Sequence, residues 1–332
     1  MKAKSSSTRH SALHHAGPGK VVLLTVLALL LALPFAAKAM GLEFYIGVAT
    51  RVLIFAIAAS SLNLILGFGG MVSFGHAAFV GLGAYTVGIL MDAGIASAWI
   101  SWPLAMLVSA AAAALIGAIS LRTRGVYFIM ITLAFAQMFY YIVVSLKAYG
   151  GDDGLPLTGR SLIASGIDLK DDAHFYWVVL ALSVAVMGFL QRCVNSSFGR
   201  LLQGARENEM RMAAVGTRVF LIRWQAFVLA GALAGLAGAL LANLNGLVTP
   251  HLMHWTQSGQ LMIMVIIGGA GALWGGLLGA AGLLILEELL SSYTLHWHMA
   301  LGVVLLAVVL FAPKGLSGLK KARRNVKESA HG

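Results

Sequence analysis

Charged residues are scarce in this chain. Only 11% of its 332 residues are Asp, Glu, Lys or Arg, where soluble domains average about a quarter, so too little polar surface exists to cover a water-facing globule. No charge occurs from 52 to 91 or from 224 to 286. Strict two-residue alternation is missing from these runs, which argues against an outer-membrane barrel. A single cysteine, Cys193, excludes a disulfide framework and a cysteine-held metal site. His76 has no second ligand at useful spacing, and His251 and His254 stand alone in a polar turn, so no metal or other cofactor is expected. Neither a G-x-x-x-x-G-K-[ST] phosphate loop nor an H-E-x-x-H pair occurs, so the chain has no recognisable ATPase or zinc-protease machinery of its own. Carboxylates near mid-membrane are lacking too. Arg51, Glu287 and Glu288 fall near the ends of their runs, which lowers the case for a proton-coupled carrier. A polar catalytic cluster at membrane depth, which an intramembrane enzyme needs, is also missing.

What is present is apolar: 59% of the residues are hydrophobic. Crossing a hydrocarbon core about 30 Å thick takes roughly 20 apolar residues in a helix. Spans are expected near 21–37, 46–66, 72–91, 99–121, 125–146, 175–191, 221–244, 258–272, 276–292 and 298–312. The expected fold is an all-α polytopic membrane protein of about ten transmembrane helices, some of them glycine-broken. Most of the 23 Lys and Arg gather in four places: the N-terminal tail, Arg122 and Arg124, the stretch 192–223, and the C-terminal tail. The positive-inside rule assigns these to the cytoplasm, with both termini. An even number of spans then reads 258–292 as two, broken near Gly268–Gly276, rather than one long helix; one long helix plus a re-entrant turn is the alternative. Asp152, Asp153, Asp168, Asp171 and Asp172 mark an extracytoplasmic loop at 147–174. The chain thus divides into a disordered basic cytoplasmic tail at 1–19, a transmembrane domain at 20–314 and a basic cytoplasmic tail at 315–332. The first span has a second reading: Lys20, an apolar run and Ala37-Lys38-Ala39 also fit a cleaved signal peptide. Net charge of +11 follows from this topology and does not imply nucleic acid.

Glycine, with 39 residues, replaces hydrophobicity as the means of bringing helices together in lipid. Gly271, Gly275 and Gly279 recur every fourth residue, as do Ser73, Ala77 and Gly81, and Gly231 with Gly235; each set reads first as packing. The run Gly67 to His76 is different, with four glycines, a serine and a histidine. It reads either as a helix unwound at membrane depth along a substrate path or as a turn between spans with His76 at the interface. An unwound site suits a zwitterionic amino acid, because free backbone groups can meet both of its charges. Phe198, Leu201, Leu202 and Ala205 fall on one helical stripe within the segment 192–220, while Arg200, Gln203, Arg206 and Glu207 face elsewhere. Gly216 can end that helix and Thr217 can cap the next. The stripe fits the membrane surface or a partner's groove equally well.

Four blocks in order resemble the M-type permease subunits of high-affinity branched-chain amino acid ABC importers, from about residue 46 to 319. The first is Asn63-Leu64 through Gly67, Gly70, Ser73, Gly75-His76-Ala77-Ala78-Phe79 and Gly83-Ala84-Tyr85. The second is Arg124-Gly125-Val126-Tyr127-Phe128, Thr132-Leu133-Ala134-Phe135 and the loop Gly150-Gly151-Asp152-Asp153-Gly154-Leu155. Gly199-Arg200, Arg206-Glu207-Asn208-Glu209, Gly216, Ala226-Phe227 and Ala234-Gly235-Leu236-Ala237-Gly238 form the third. Gly268-Gly269 through Gly279-Ala280 and Pro313-Lys314-Gly315-Leu316 form the fourth. The family often carries lysine where Arg223 stands, and threonine where Tyr149 stands. The resemblance implies a permease of the bacterial inner membrane, importing branched-chain or related small apolar amino acids. It implies a second related permease, two cytoplasmic ATPase subunits and a periplasmic substrate-binding protein as partners. By the same resemblance Gly199, Arg200, Arg206, Glu207, Asn208, Glu209 and Gly216 belong to the loop that couples to the ATPase. Asn63, Gly70, Ser73, Gly75, His76 and Phe79 would lie along the translocation path. A self-sufficient secondary transporter or channel is the alternative.

Overall fold

A computed structural model describes residues 18–163, 169–293, 296–311 and 315. The basic tails expected at 1–19 and 315–332 lie almost wholly outside these residues. Contacts divide the chain into two units, the first ending at Ile46. The first contains α1 (Pro18–Ala39) and the entry into α2 (Phe44–Asn63). The second holds the rest of α2, then α3 (His76–Asp92), α4 (Ala98–Ser120), α5 (Val126–Ser145), α6 (Asp172–Asn195), α7 (Ser197–Glu207) and α8 (Glu209–Ala214). It continues through α9 (Val219–Asn245), α10 (Trp255–Gly268), α11 (Gly275–Tyr293) and α12 (Trp297–Phe311).

The chain is an all-α polytopic membrane protein. Among the described residues six helices are long and apolar enough to cross a membrane: Phe44–Phe68, Ala98–Ser120, Val126–Ser145, Asp172–Asn195, Val219–Asn245 and Gly275–Tyr293. Three of the helices expected to span are short, α12 with 15 residues among them. α3 has 17 residues and α10 has 14, roughly 26 and 21 Å against a core of about 30 Å. The helix expected from 72 starts only at His76, and the one expected from 258 starts at Trp255. The stretch 258–292 is broken between Gly268 and Gly275.

α9 lies at the centre, packed against α3 and α4. A Cβ on Gly238 would run into the Val80 carbonyl, and one on Gly83 into the backbone of Gly235, so the α3–α9 crossing brings main chain against main chain. Gly231 and Gly235 receive Ala113 and Ser109 of α4. In the other two sets the roles divide. Gly275 and Gly279 pack α11 against α10, whereas Gly271 has φ 81° and belongs to the turn; Gly81 receives Met253, whereas Ser73 lies outside any helix. α4 and α5 turn large apolar side chains outward, among them Leu107, Leu115, Met130 and Ile142.

One end of the bundle is closed by the 147–174 loop, of which 164–168 lie outside the described residues. Strand β1 (Leu155–Pro156) pairs antiparallel with β2 (Leu247–Val248). Arg160 stacks 4.8 Å over the Phe175 ring, pairs with Asp172 and donates to Asn243 O at 3.1 Å. Asn243, 1% exposed, accepts from Ser161 N at 2.7 Å. The aspartates that mark this loop in the sequence are thus partly fastened down.

Candidate functional site: two helix breaks beneath α7

α2 ends at Asn63 in a single π-helical turn, Leu64–Phe68, followed by seven non-helical residues before α3. π turns commonly mark functional sites, and this one leaves a row of carbonyls to satisfy. Leu64 O accepts from Gly69 N (3.1 Å), Ile65 O from Met71 N (2.9 Å) and Leu66 O from Gly70 N (3.2 Å). Gly67 O accepts from Arg206 Nη1, a side chain of α7. Gly70, with φ 68°, turns the chain.

Hydroxyls satisfy the next stretch, two of them from distant helices. Phe74 N donates to Thr132 Oγ1 of α5 at 3.2 Å, Gly75 N to Ser73 Oγ at 3.2 Å, and Ala77 N to Ser258 Oγ of α10 at 2.9 Å. The first turns of α3 and α10 therefore meet. Ser61 Oγ lies 2.7 Å from Ala58 O and 2.8 Å from His76 Nε2. A hydroxyl has one hydrogen; it goes to the carbonyl, which cannot donate, so Nε2 donates to Ser61. His76 Nδ1 is then a buried acceptor with no hydrogen-bond partner among the described residues. The ring stands edge-on to Phe79, 5.8 Å away, which stands edge-on to Phe227.

The second break is tied to the first. Asn63, 1% exposed, donates from Nδ2 to Ala272 O at 2.7 Å and accepts at Oδ1 from Gly271 N at 2.9 Å. A Cβ on Gly67 would collide with this side chain and with Gly271 N. Asn63, Gly70, Ser73, Gly75 and His76 are thus brought together at the breaks, while Phe79 lies farther along α3. Ser73, His76 and Phe79 have no accessible surface, so the breaks are closed around them.

The segment 192–220 is two helices rather than one. Asn208 interrupts it and caps α8 by accepting from Arg211 N at 2.9 Å. Gly216, with φ 84°, ends α8, but the residue preceding α9 is Arg218 rather than Thr217, and it makes no side-chain cap. The apolar stripe faces the bundle: Leu202 and Ala205 are buried, and α7 packs on the π turn with Leu202 reaching Gly69. Gly199 fits where a Cβ would strike the Val194 carbonyl, and Arg200 donates to Asn195 O at 2.9 Å. Glu209 pairs with Arg124 at 3.1 Å and Arg223 at 3.0 Å, and Arg223 also donates to Ala205 O. Glu207 is exposed and makes no hydrogen bond or ion pair among the described residues. Beside it stand Met210 and Val215, 82% and 78% exposed, apolar side chains outside the predicted stripe. A cavity of about 190 Å³ opens between the linker Gly70–Val72, the α4–α5 turn, Glu209 and Arg223.

Ser258 and Ser61 were not anticipated, and Thr132 entered only within a block of the resemblance, with no role. In sequence they are hydroxyls in apolar runs, and what could single them out as site residues is that a buried hydroxyl requires a partner. Glu287 lies 3.9 Å from Arg51 and accepts from Gln260 at 3.4 Å, so this carboxylate has a cation beside it. No group of three or more His, Cys, Asp or Glu that could hold a metal ion occurs among the described residues.

Residues 44–312 match the family described as branched-chain amino acid transport system / permease component. The chain is 28% identical, over 93% of its length and 77% of the relative's, to the high-affinity branched-chain amino acid transport system permease protein LivM of Salmonella typhimurium. It is 26% identical to the probable branched-chain amino acid transport permease protein LivM of Methanocaldococcus jannaschii, over 79% of this chain and 90% of that protein. The permease protein LivH of Salmonella typhimurium is 24% identical over 80% of this chain and 91% of its own. No solved structure matches.

Proposed function

The chain belongs to the branched-chain amino acid transport permease family, a family of transport proteins rather than enzymes, and from that premise we propose that it forms the translocation path of an ATP-driven importer. The cargo is a branched-chain or related small apolar amino acid. The observation that carries this reading is the seating of α7 on the π turn, one hydrogen bond from the second break, in a chain with no phosphate loop. Energy then arrives from ATPase subunits on other chains, through α7 and α8.

The positive-inside rule supports a cytoplasmic side for the N-terminal tail, the α4–α5 turn, α7 and α8, and the C-terminal tail, and the family supports a bacterial inner membrane. Ten spans follow, with 147–174 outside. The short α3 and α10 are half-helices whose amino ends converge near Ser73–Phe79, an arrangement that favours a substrate carboxylate. Asn63, Gly70, Ser73, Gly75, His76 and Phe79 form the gated stretch of the path. The cavity beside Gly70 carries both signs of charge, from Arg124, Arg223 and Glu209, against Met71, Val72 and Phe128, and so suits a zwitterion with an apolar side chain. A second, related permease completes the membrane domain, and a periplasmic binding protein delivers the cargo to its outer face.

Radiolabelled leucine uptake in cells with and without the ATPase partners tests the reading. Uptake that depends on them supports it; uptake by this chain alone sinks it. Within the coupling segment, Glu207→Arg is expected to abolish uptake while membrane insertion stays normal, because Glu207 is exposed and has nothing to lose inside the bundle. Normal uptake in that variant, measured beside immunoblots of membrane fractions, removes α7 as the docking element.

A further inference from the structure

We propose that Arg206 is a latch rather than a docking residue: it holds the π turn of α2, so that the position of α7 decides whether Asn63 clasps the second break. The proposal rests on the importer reading above and adds to it a positioning residue inside the chain.

The sequence groups Arg206 with the outward, polar side of α7, and the residue is exposed, yet its guanidinium reaches in to the first break. Nη1 donates to Gly67 O, while the stem lies where a Cβ on Gly70 would meet Arg206 Cγ at 2.8 Å. The same Nη1 also lies close to Gly271, 3.4 Å from where that glycine's Cβ would stand. One side chain from the energy-receiving segment therefore touches the first break at two points and borders the second. A cation at the carboxyl end of a helix satisfies an orphan carbonyl and meets the negative end of the dipole, so its removal frees Gly67 O.

The π turn supplies the two-state element that such a connection requires. It holds one residue more than an α-helical turn would. Rewinding it as α-helix shifts the register of Asn63 and its neighbours by one residue, or about 100° around the helix axis. Asn63 cannot make that rotation and keep both Gly271 N and Ala272 O. Glycines at positive φ on either side, Gly70 and Gly271, absorb the change in backbone direction. Withdrawal of α7 thus releases the turn, and release of the turn unclasps the two breaks.

The test uses the complete complex of this chain with its permease, ATPase and binding-protein partners in proteoliposomes, with ATP hydrolysis and leucine uptake measured together. Arg206→Ala is expected to keep binding-protein-stimulated hydrolysis while ATP consumed per leucine rises about tenfold. Arg206→Lys, which keeps a donor for Gly67 O, is expected to recover part of the coupling. Hydrolysis and uptake that fall in proportion, or an unchanged ratio, overturn the latch, as does failure of both variants to assemble, which makes Arg206 a packing residue. Wild-type complex without ATPase-dependent uptake counts against the importer reading instead. The latch is then judged by thiol labelling of Ala272→Cys in a Cys193→Ser background: severalfold faster labelling with Arg206→Ala supports it, and an unchanged rate overturns it.

Discussion

Asn63→Leu is expected to abolish uptake and to lower the melting temperature of the detergent-extracted protein by many degrees. Leucine keeps the branched outline of asparagine but puts bulkier methyls where the amide sits 2.7 Å from Ala272 O and 2.9 Å from Gly271 N, so the change removes both hydrogen bonds and crowds the second break. Gly271 N and Ala272 O, in half-buried residues, lose a partner that is itself 1% exposed. A fully buried polar group left unpaired costs about 1–3 kcal/mol, so roughly 2–6 kcal/mol is the upper bound for this half-buried pair. The two breaks are also no longer tied to each other. Asn63→Asp separates the contributions, because it keeps an acceptor for Gly271 N but sets a carboxylate oxygen against Ala272 O. It is expected to fail as badly as leucine. Wild-type uptake in either variant shows that the clasp is not needed for transport.

Gly238→Leu is expected to leave almost no folded protein in the membrane, whereas Gly188→Leu is expected to be silent. Both glycines lie inside long apolar helices. A Cβ on Gly238 would run into Val80 O and crowd the Ala84 amide, so α9 must move off α3, and main chain cannot yield as a flexible side chain does. Gly188, in α6, has nothing within 4 Å of where its Cβ would stand. Fluorescence-detected size exclusion of the two variants at equal expression checks the pair. Loss of Gly188→Leu, or survival of Gly238→Leu, shows that the α3–α9 crossing is packed differently.

The helical runs were legible because their cause is local. Absence of charge over 52–91 and 224–286 fixes an environment, and helix is the one spanning structure that satisfies every backbone group within its own segment. The glycine-rich stretch 67–76 was legible as a departure from plain helix for the same reason, though a broken helix and a simple turn stayed equal. The bonds that hold this stretch come from Thr132 and Ser258, 58 and 181 residues from their partners. Nothing nearby in the sequence announces those bonds.

The coupling segment shows where local reasoning stops. An i, i+3, i+4, i+7 stripe fixes which side chains share a face of α7, but a face has no preference between lipid, a partner's groove and the chain's own core. Leu202 and Ala205 went to the core, and the outward positions passed to Glu207, Met210 and Val215. Arg206, read on the polar side of α7, stays exposed yet reaches a helix end with Nη1, and Glu209, known from the sequence only through the resemblance, is held by two arginines.

The sequence by itself thus determined the solvent in which this protein lives, the helices that follow from it, the missing ATPase and the family. Each depends on composition, periodicity or short motifs. Tertiary structure alone decided that Asn63 joins two breaks more than 200 positions apart, that α7 rests on one of them, and which glycines lie where backbones cross. These features arise from groups that cannot go unpaired or overlap in a low-dielectric interior, and only the folded arrangement of the helices determines which groups meet.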